Sequence, residues 1–244
     1  MIPLSYAQRR LWFLSRLDGP SPTYNAPIVL DLPGVPDREA LSAALADVVM
    51  RHEVLRTVYA VVDGAPVQRV LAGAGPGPVV RDCPADELDA LVARFCAGTF
   101  DLAVEPPLRA TLFVAGPNRS VLVLLLHHIA TDGASIRPML RDLSTAYRAR
   151  LAGDAPGWEP LPVQYADYTL WQRDVLGGED DPDSVVTEQL TWWRENLAGL
   201  APVLPLPLDR PRTAATGRGA TVTARLDPDT HGRLAHLSLS LIHI

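Results

Sequence analysis

The sequence predicts an α/β fold, a layered sandwich in which helices cover a sheet. Three observations predict it. Helix-period segments and strand runs are mixed along the 244 residues. Val121 to Leu126 is apolar at every position, with Leu122, Leu124 and Leu126 on one side and Val121, Val123 and Leu125 on the other. A strand that is apolar on both faces belongs in the middle of a covered sheet. Pro, Gly and Asp/Asn clusters punctuate the runs at short intervals.

In chain order, "SYAQRRLWFLSRL" predicts a helix. Ser5 and Gln8 stand in capping-box spacing, and Leu11, Leu14 and Leu17 recur at helical intervals. "YNAPIVLDL" reads as a strand stopped by Pro33-Gly34, after which Asp37 caps a helix with an apolar face of Leu41, Ala44, Leu45, Val48 and Val49. "RTVYAVVDGAPVQRV" is a hairpin turning at Asp63-Gly64. A Gly/Pro loop, Gly73 to Pro78, leads to a short strand and a helix from about Ala85. "LRATLFVA" and "SVLVLLLHH", joined by "GPNR", make a second hairpin. After Gly133 comes a helix with Ile136, Met139, Leu140, Leu143 and Tyr147 as its stripe.

From Gly153 the chain turns proline-rich, then passes through "VQYADYTLWQRDVL", an acidic loop at 177–183 and a helix around "EQLTWWRENLAGL". "PVLPLPLDRPRTAATGRG" reads as extended linker. "ATVTARLD" then predicts a new strand, and "PDTHGRLAHL" the start of a helix that is cut short, so the ending resembles the beginning of a second lobe with a doubtful tail, "LSLSLIHI". No internal repeat is present.

Composition narrows the function classes. A net charge of −6 gives no basic footprint for nucleic acid. Cys83 and Cys96 are too few and too ordinary in setting for a disulfide scaffold, and read as reduced, packed thiols. The opening residues carry no secretory pattern, and the longest apolar run is too short to span a bilayer. A soluble cytoplasmic protein is expected.

The chemistry-bearing stretch is "HHIATDG", residues 127 to 133, at the end of the apolar run. Neighbours on a strand point to opposite faces, so His127 and His128 are badly placed to grip one metal ion, and no metal is expected. Ser135 has no G-x-S-x-G surround for a nucleophile. Two readings stay open on these residues alone. One is a pair of packed histidines. The other is a single imidazole facing a cleft at a strand end, where open α/β sheets place ligands and where a ring with a free pKa near 6.5 can take a proton.

The chain as a whole resembles the condensation domains of nonribosomal peptide synthetases. "HHIATDG" is similar to their HHxxxDG, "SYAQRRLWFL" (5–14) to SxAQxRLWxL, and "RHEVLRT" (51–57) to RHExLRT. "YADYTLWQ" (165–172) is similar to YxDYAxWQ, with Thr169 where alanine is usual. The resemblance implies the first lobe of a two-lobed, chloramphenicol-acetyltransferase-like sandwich, with the second lobe truncated. It sets an N-terminal condensation lobe at 1–175, a linker with a helix and a Pro-rich stretch at 176–218, and the start of a C-terminal lobe at 219–244.

The implied reaction is amide formation between a carrier-bound aminoacyl or peptidyl thioester donor and a carrier-bound aminoacyl acceptor. No cofactor is bound directly; 4′-phosphopantetheine arrives on the partner carrier domains, beside a neighbouring adenylation domain. The resemblance makes His128 the residue that positions the amine or takes its proton, with His127, Asp132 and Gly133 completing the catalytic signature, His127 and Asp132 in structural roles. Asp132 is expected to pair with Arg56, and Gly133 to leave room beside the thioester. Arg10, Trp12, Tyr165, Asp167 and Trp171 are expected as structural support.

Ala134 stands where many members have tryptophan, which touches the pocket wall. The histidines disfavour the cyclising subtype, and "GASIRPML" does not match the epimerising one. Two alternatives accompany this reading: a catalytically inert docking fragment, and a coenzyme A- or alcohol-dependent acyltransferase of the same superfamily. This fragment itself is expected to be inactive.

Overall fold

In the computed structural model, residues 1–17, 19, 21–75, 77–201, 203–207 and 222–241 are described, Ser240 and Leu241 by backbone only. The chain forms two compact units, Met1–Leu200 and Ala201–Ile244.

The first unit holds two sheets. Strands β1 (Ile2–Pro3), β3 (Thr57–Val62) and β4 (Ala65–Val70) form a three-stranded sheet in the order β1-β4-β3. Strands β2 (Asn25–Pro33), β5 (Val79–Asp82), β6 (Leu108–Val114) and β7 (Arg119–His127) form the other, in the order β2-β7-β6-β5. Both hairpins read from the sequence are present. At the first, Asp63 and Gly64 have φ of 50° and 80°, the two positive values that a tight two-residue turn requires and that glycine adopts without strain. β5 joins β6 in parallel, a pairing no local pattern announces.

β7 is a central strand, as its two apolar faces require, and is buried from Ser120 through His127. Leu122, Leu124 and Leu126 pack on Leu41, Ala44, Leu45 and Val48 of α2 (Arg38–Arg51) and on Met139, Leu143 and Ala146 of α4 (Ile136–Leu151). On the other face Val121 and Val123 meet Phe113 and Leu88, the first residue of α3 (Leu88–Cys96). Leu125 joins Leu4, Tyr59, Phe100 and Leu11 of α1 (Tyr6–Leu17). Each fully buried leucine contributes roughly 2 kcal/mol. The strand therefore anchors whatever its C-terminal end carries.

Local signals act as read. Ser5 and Gln8 bond reciprocally, Ser5 N to Gln8 Oε1 at 3.0 Å and Gln8 N to Ser5 Oγ at 3.1 Å. Asp37 Oδ1 accepts from Ala40 N at 2.8 Å, capping α2. Both cysteines are free and partly buried, and burial pushes their thiols up. Helix α5 (Tyr165–Leu176) clasps the N-terminus: Gln172 Oε1 accepts from Tyr6 N, Arg173 Nε donates to Leu4 O, and Tyr6 Oη donates to Gly177 O.

The C-terminal part differs from expectation. Helix α6 (Val185–Asn196) lies within the first unit, with Val186 buried, so residues 176–200 belong to that unit rather than to a linker. No strand forms over 222–227; residues 220 and 221 of the expected strand lie outside the described residues, as do 202 and 208–219 of the Pro-rich stretch. β-Propensity alone does not make a strand, which needs a neighbour to bond. The helix expected to stop short instead runs Pro228–Leu241, and Asp227 caps it by accepting from Thr230 N at 2.9 Å. It takes in most of the doubtful tail, whose last three residues are outside the described ones.

Candidate active site

Strand pairing runs to His127, and one bond beyond it holds His128. His127 N donates to Pro107 O at 3.0 Å, and His128 N donates to Tyr24 O at 2.8 Å. The two rings face opposite ways: His127 is buried and His128 exposed, and they line different cavities.

His127 turns inward and is 4% exposed. Its Nδ1 accepts from Ile129 N at 3.0 Å, which leaves the ring hydrogen on Nε2. The rings of Tyr24 and Phe100 flank it at 6.2 and 6.0 Å. Burial, aided by the neighbouring His128, lowers its pKa to about 4. It is a neutral packing residue on a cavity of about 660 Å³ that also includes Trp12, Tyr24, Tyr59 and Phe100.

His128 faces outward and is exposed. Its Nδ1 lies 3.0 Å from Thr131 O. A carbonyl only accepts, so Nδ1 donates, and in the neutral ring Nε2 keeps its lone pair. The ring lines a different cavity, of about 390 Å³, with Val54, Ile129, Asp132, Met139 and Tyr165 among its walls. The two histidines thus line two different cavities.

Asp132 does not pair with Arg56. It forms a reciprocal box with Ser135: Ser135 N and Ser135 Oγ donate to Asp132 Oδ1 at 2.9 and 2.6 Å, and Asp132 N donates to Ser135 Oγ at 3.2 Å. The bonds from Ser135, side chain first, hold the Asp132 carboxyl below the ordinary range. Arg56 closes a short 3₁₀ turn, Glu53–Arg56, and is taken locally. Its Nη2 donates to Glu53 Oε1 at 3.2 Å, its Nη1 donates to Leu71 O, and its Nε–H is buried without a partner. Glu53, three residues away on the same turn, and the Leu71 carbonyl take up the guanidinium. A Cβ placed on Gly133 would meet nothing within 4 Å, so no packing within this unit demands glycine there.

The RHEVLRT segment acts through residues that the sequence reading did not single out. Asp142 of α4, with a side chain 5% exposed, accepts from Arg51 Nε at 3.0 Å and contacts His52 Nε2 at 2.9 Å. Burial works to raise this carboxyl, but bonds from His52, Arg141 and Arg51 outweigh it and hold it below the ordinary range. Gln164 Nε2 donates to Arg51 O, and Gln164 Oε1 accepts from Glu53 N, fastening the segment to the start of α5. A buried aspartate in a helix stripe was the available sign of this network.

The support residues divide. Tyr165 lines the His128 cavity and its Oη meets Ser5 Oγ at 2.9 Å; burial first of all raises its pKa. Asp167 Oδ2 accepts from Gln164 N at 2.8 Å and completes the cap of α5. Thr169 is fully buried and accepts from Gln68 Nε2 at 3.2 Å. Trp12 packs on the core holding Leu125. Trp171 is 60% exposed, with its ring against that of Tyr168, and the Arg10 side chain is exposed with no hydrogen bond or ion pair among the described residues, so neither is packed inside this unit. Among the described residues no group of three or more His, Cys, Asp or Glu side chains converges as a metal site would, and no helix is long and apolar enough to cross a membrane.

A histidine-bearing central strand, its two-sided cover of helices and a cleft at the strand end define a chloramphenicol-acetyltransferase-like α/β sandwich. The family model described as condensation domain matches residues 1–238, and the chain belongs to that family, the condensation domains of nonribosomal peptide synthetases. It is 54% identical over 239 residues to a protein of Salinispora arenicola described as a probable nonribosomal peptide synthetase, covering 98% of this chain and 3% of that one. It is 49% identical over 240 residues to the dimodular nonribosomal peptide synthase of Bacillus subtilis, covering 97% and 10%. Among solved structures, the X-domain from teicoplanin biosynthesis, in complex with OxyB, is similar with a TM-score of 0.83 at 38% identity, over 98% of this chain and 52% of that one. The chain thus spans a small part of the curated relatives and about half of the solved domain.

Proposed function

We propose that the chain supplies the His128-bearing half of a peptide-bond-forming site. An acceptor amine and a donor thioester, each on the phosphopantetheine arm of a carrier domain, meet beside His128. The amine nitrogen attacks the thioester carbonyl carbon, the C–N bond forms and the C–S bond breaks. The proton lost from nitrogen passes by way of His128 Nε2 to the departing sulfur. The mainly apolar walls, Val54, Leu55, Ile129, Pro138 and Met139, suit an uncharged thioester. Gly133, open on its outer side, leaves space for that thioester to approach. The natural setting is a cytoplasmic synthetase with an adenylation domain nearby.

One observation carries this reading: His128 lines the cavity with Nδ1 tied to Thr131 O and Nε2 left over. A positioned base of this kind is worth on the order of a hundred to ten thousand fold, and tethering both reactants supplies much of the remainder. The test is His128→Ala in the longest natural polypeptide carrying these residues, assayed with two loaded carriers. Dipeptide formation should fall by that factor; unchanged product refutes the role.

A second reading is a docking module without chemistry. The likeness to the X-domain, which was solved in complex with OxyB, favours it. If the chain captures a carrier or another protein while His128→Ala leaves every product level unchanged, this second reading holds.

A further inference from the structure

His52, the second residue of RHEVLRT, lines the same cavity as His128. Its ring is fixed through one nitrogen. Nε2 lies 2.9 Å from Asp142 Oδ2, and the same carboxylate takes Arg51 Nε at 3.0 Å and Arg141 Nε at 3.3 Å. A carboxylate surrounded by donors only accepts, so the hydrogen of the neutral His52 ring sits on Nε2 and its Nδ1 holds a lone pair. Among the described residues nothing bonds that Nδ1, and the side chain is 23% exposed. His128 is the converse case, tied through Nδ1 with Nε2 left over. Two imidazoles, each held through one nitrogen and each with one acceptor nitrogen left over, therefore line a single cavity of about 390 Å³.

We infer that His52 is a substrate-positioning group whose Nδ1 accepts one N–H of the acceptor's primary amine while His128 Nε2 accepts the other. The inference rests on the peptide-forming reading above. A primary amine brings two N–H groups and one lone pair. Fixing both N–H groups aims the lone pair at the thioester carbon, a gain of orientation rather than of basicity. The reaction removes only one of those protons. The proton held by His128 leaves with the sulfur, and the one held by His52 stays as the amide N–H of the product. A base is needed at one position and a plain acceptor at the other. The buried Asp142 holds the second ring as Thr131 O holds the first.

Two substitutions separate this from a merely structural tie between α2 and α4. In His52→Gln the amide nitrogen reaches the place of Nε2, so the bond to Asp142 is kept and Nδ1 is lost. In His52→Asn the amide occupies the place of Nδ1 and no longer reaches Asp142. In the longest natural polypeptide with both carriers loaded, His52→Gln should keep its melting temperature and lose roughly tenfold in kcat/KM for the acceptor, the scale of one hydrogen bond. His52→Asn should lose melting temperature but keep more turnover per folded molecule. A His52→Gln variant that turns over like wild type overturns the inference.

Should His52→Gln fail to fold, nitrogen NMR of histidine-labelled wild type decides. The His52 Nδ1 signal should move on adding a soluble aminoacyl-pantetheine amide and stay for the analogue without the amine. Equal response to both overturns the inference. Failure of the wider reading looks different: wild type then forms no dipeptide at all, whereas failure of this inference leaves dipeptide formation intact and insensitive to His52→Gln.

Discussion

His128 Nδ1 stands 3.0 Å from Thr131 O, and that bond decides which nitrogen of the ring is left for chemistry. The partner is a backbone carbonyl three residues on, so no side-chain exchange at Thr131 removes it. The loop that carries the ring therefore also sets its tautomer, as second partners of functional histidines commonly do. His127, one residue earlier, shows the converse bond, with its Nδ1 accepting from Ile129 N.

His128→Asn tests this arrangement. The asparagine amide reaches the place of Nδ1 and can still donate to Thr131 O, but it has nothing at Nε2. Because the side chain is exposed, the unfolding free energy should change by no more than about 0.5 kcal/mol, as for ordinary surface changes. Dipeptide formation should fall about as far as in His128→Ala, by a hundredfold or more. An active His128→Asn variant would move the chemistry off Nε2.

The Asp132–Ser135 box makes a prediction opposed to the Asp132–Arg56 pair. Ser135→Ala removes the hydroxyl that donates to Asp132 Oδ1 and accepts from Asp132 N, and should cost about 1 kcal/mol in a denaturant titration. A double-mutant cycle of Asp132→Asn with Ser135→Ala should show coupling, and one with Arg56→Met none. Coupling to Arg56 instead would restore the expected ion pair.

The pH dependence of stability should report on His127. Its pKa is about 4 in the folded chain and near 6.5 unfolded, so between those values the unfolded state binds the extra proton. Stability therefore rises with pH across that window and is level above it, with a total of at most on the order of 3 kcal/mol. His127→Phe should flatten the profile between pH 4 and 6.5 in a denaturation series. A profile of unchanged slope would show that the buried ring is not its source.

Much of this was legible in the sequence, and the reasons are specific. Ser5/Gln8, Asp37 and Asp63-Gly64 are local devices whose partners lie within three residues, so spacing alone finds them. The two apolar faces of β7 gave its central place, because only a strand covered on both sides can afford Leu122 and Val123 together. Partner choice was not legible. Asp132 bonds Ser135, and Arg56 bonds Glu53 and the Leu71 carbonyl fifteen residues on, and spacing alone does not rank these partners above the Asp132–Arg56 pair. Asp142, His52 and Gln164 lie on three segments that meet only in the fold, so no window of sequence brings them together. Over 222–227, the described part of the expected strand, β-branched composition is present but no strand pairing forms among the described residues.

The two faces of β7 supply the last prediction. Leu124 is buried against α2 and α4, and Leu125 against Leu4, Leu11, Tyr59 and Phe100. Their side chains share no cluster although their backbones are adjacent, so each truncation leaves a cavity on its own side of the sheet. Leu124→Ala and Leu125→Ala should each cost about 2–5 kcal/mol, whereas Val29→Ala, on a side chain 50% exposed, should stay within about 0.5 kcal/mol. The two losses should differ in consequence. The Leu125 cavity opens in the cluster that includes Phe100 and Ile129, the residues against which His127 packs and bonds, so Leu125→Ala should also raise the His127 pKa by admitting water, while Leu124→Ala should leave it in place. Nitrogen NMR of labelled histidine reads that difference, and equal shifts in both variants would mean that the sheet does not insulate one core from the other.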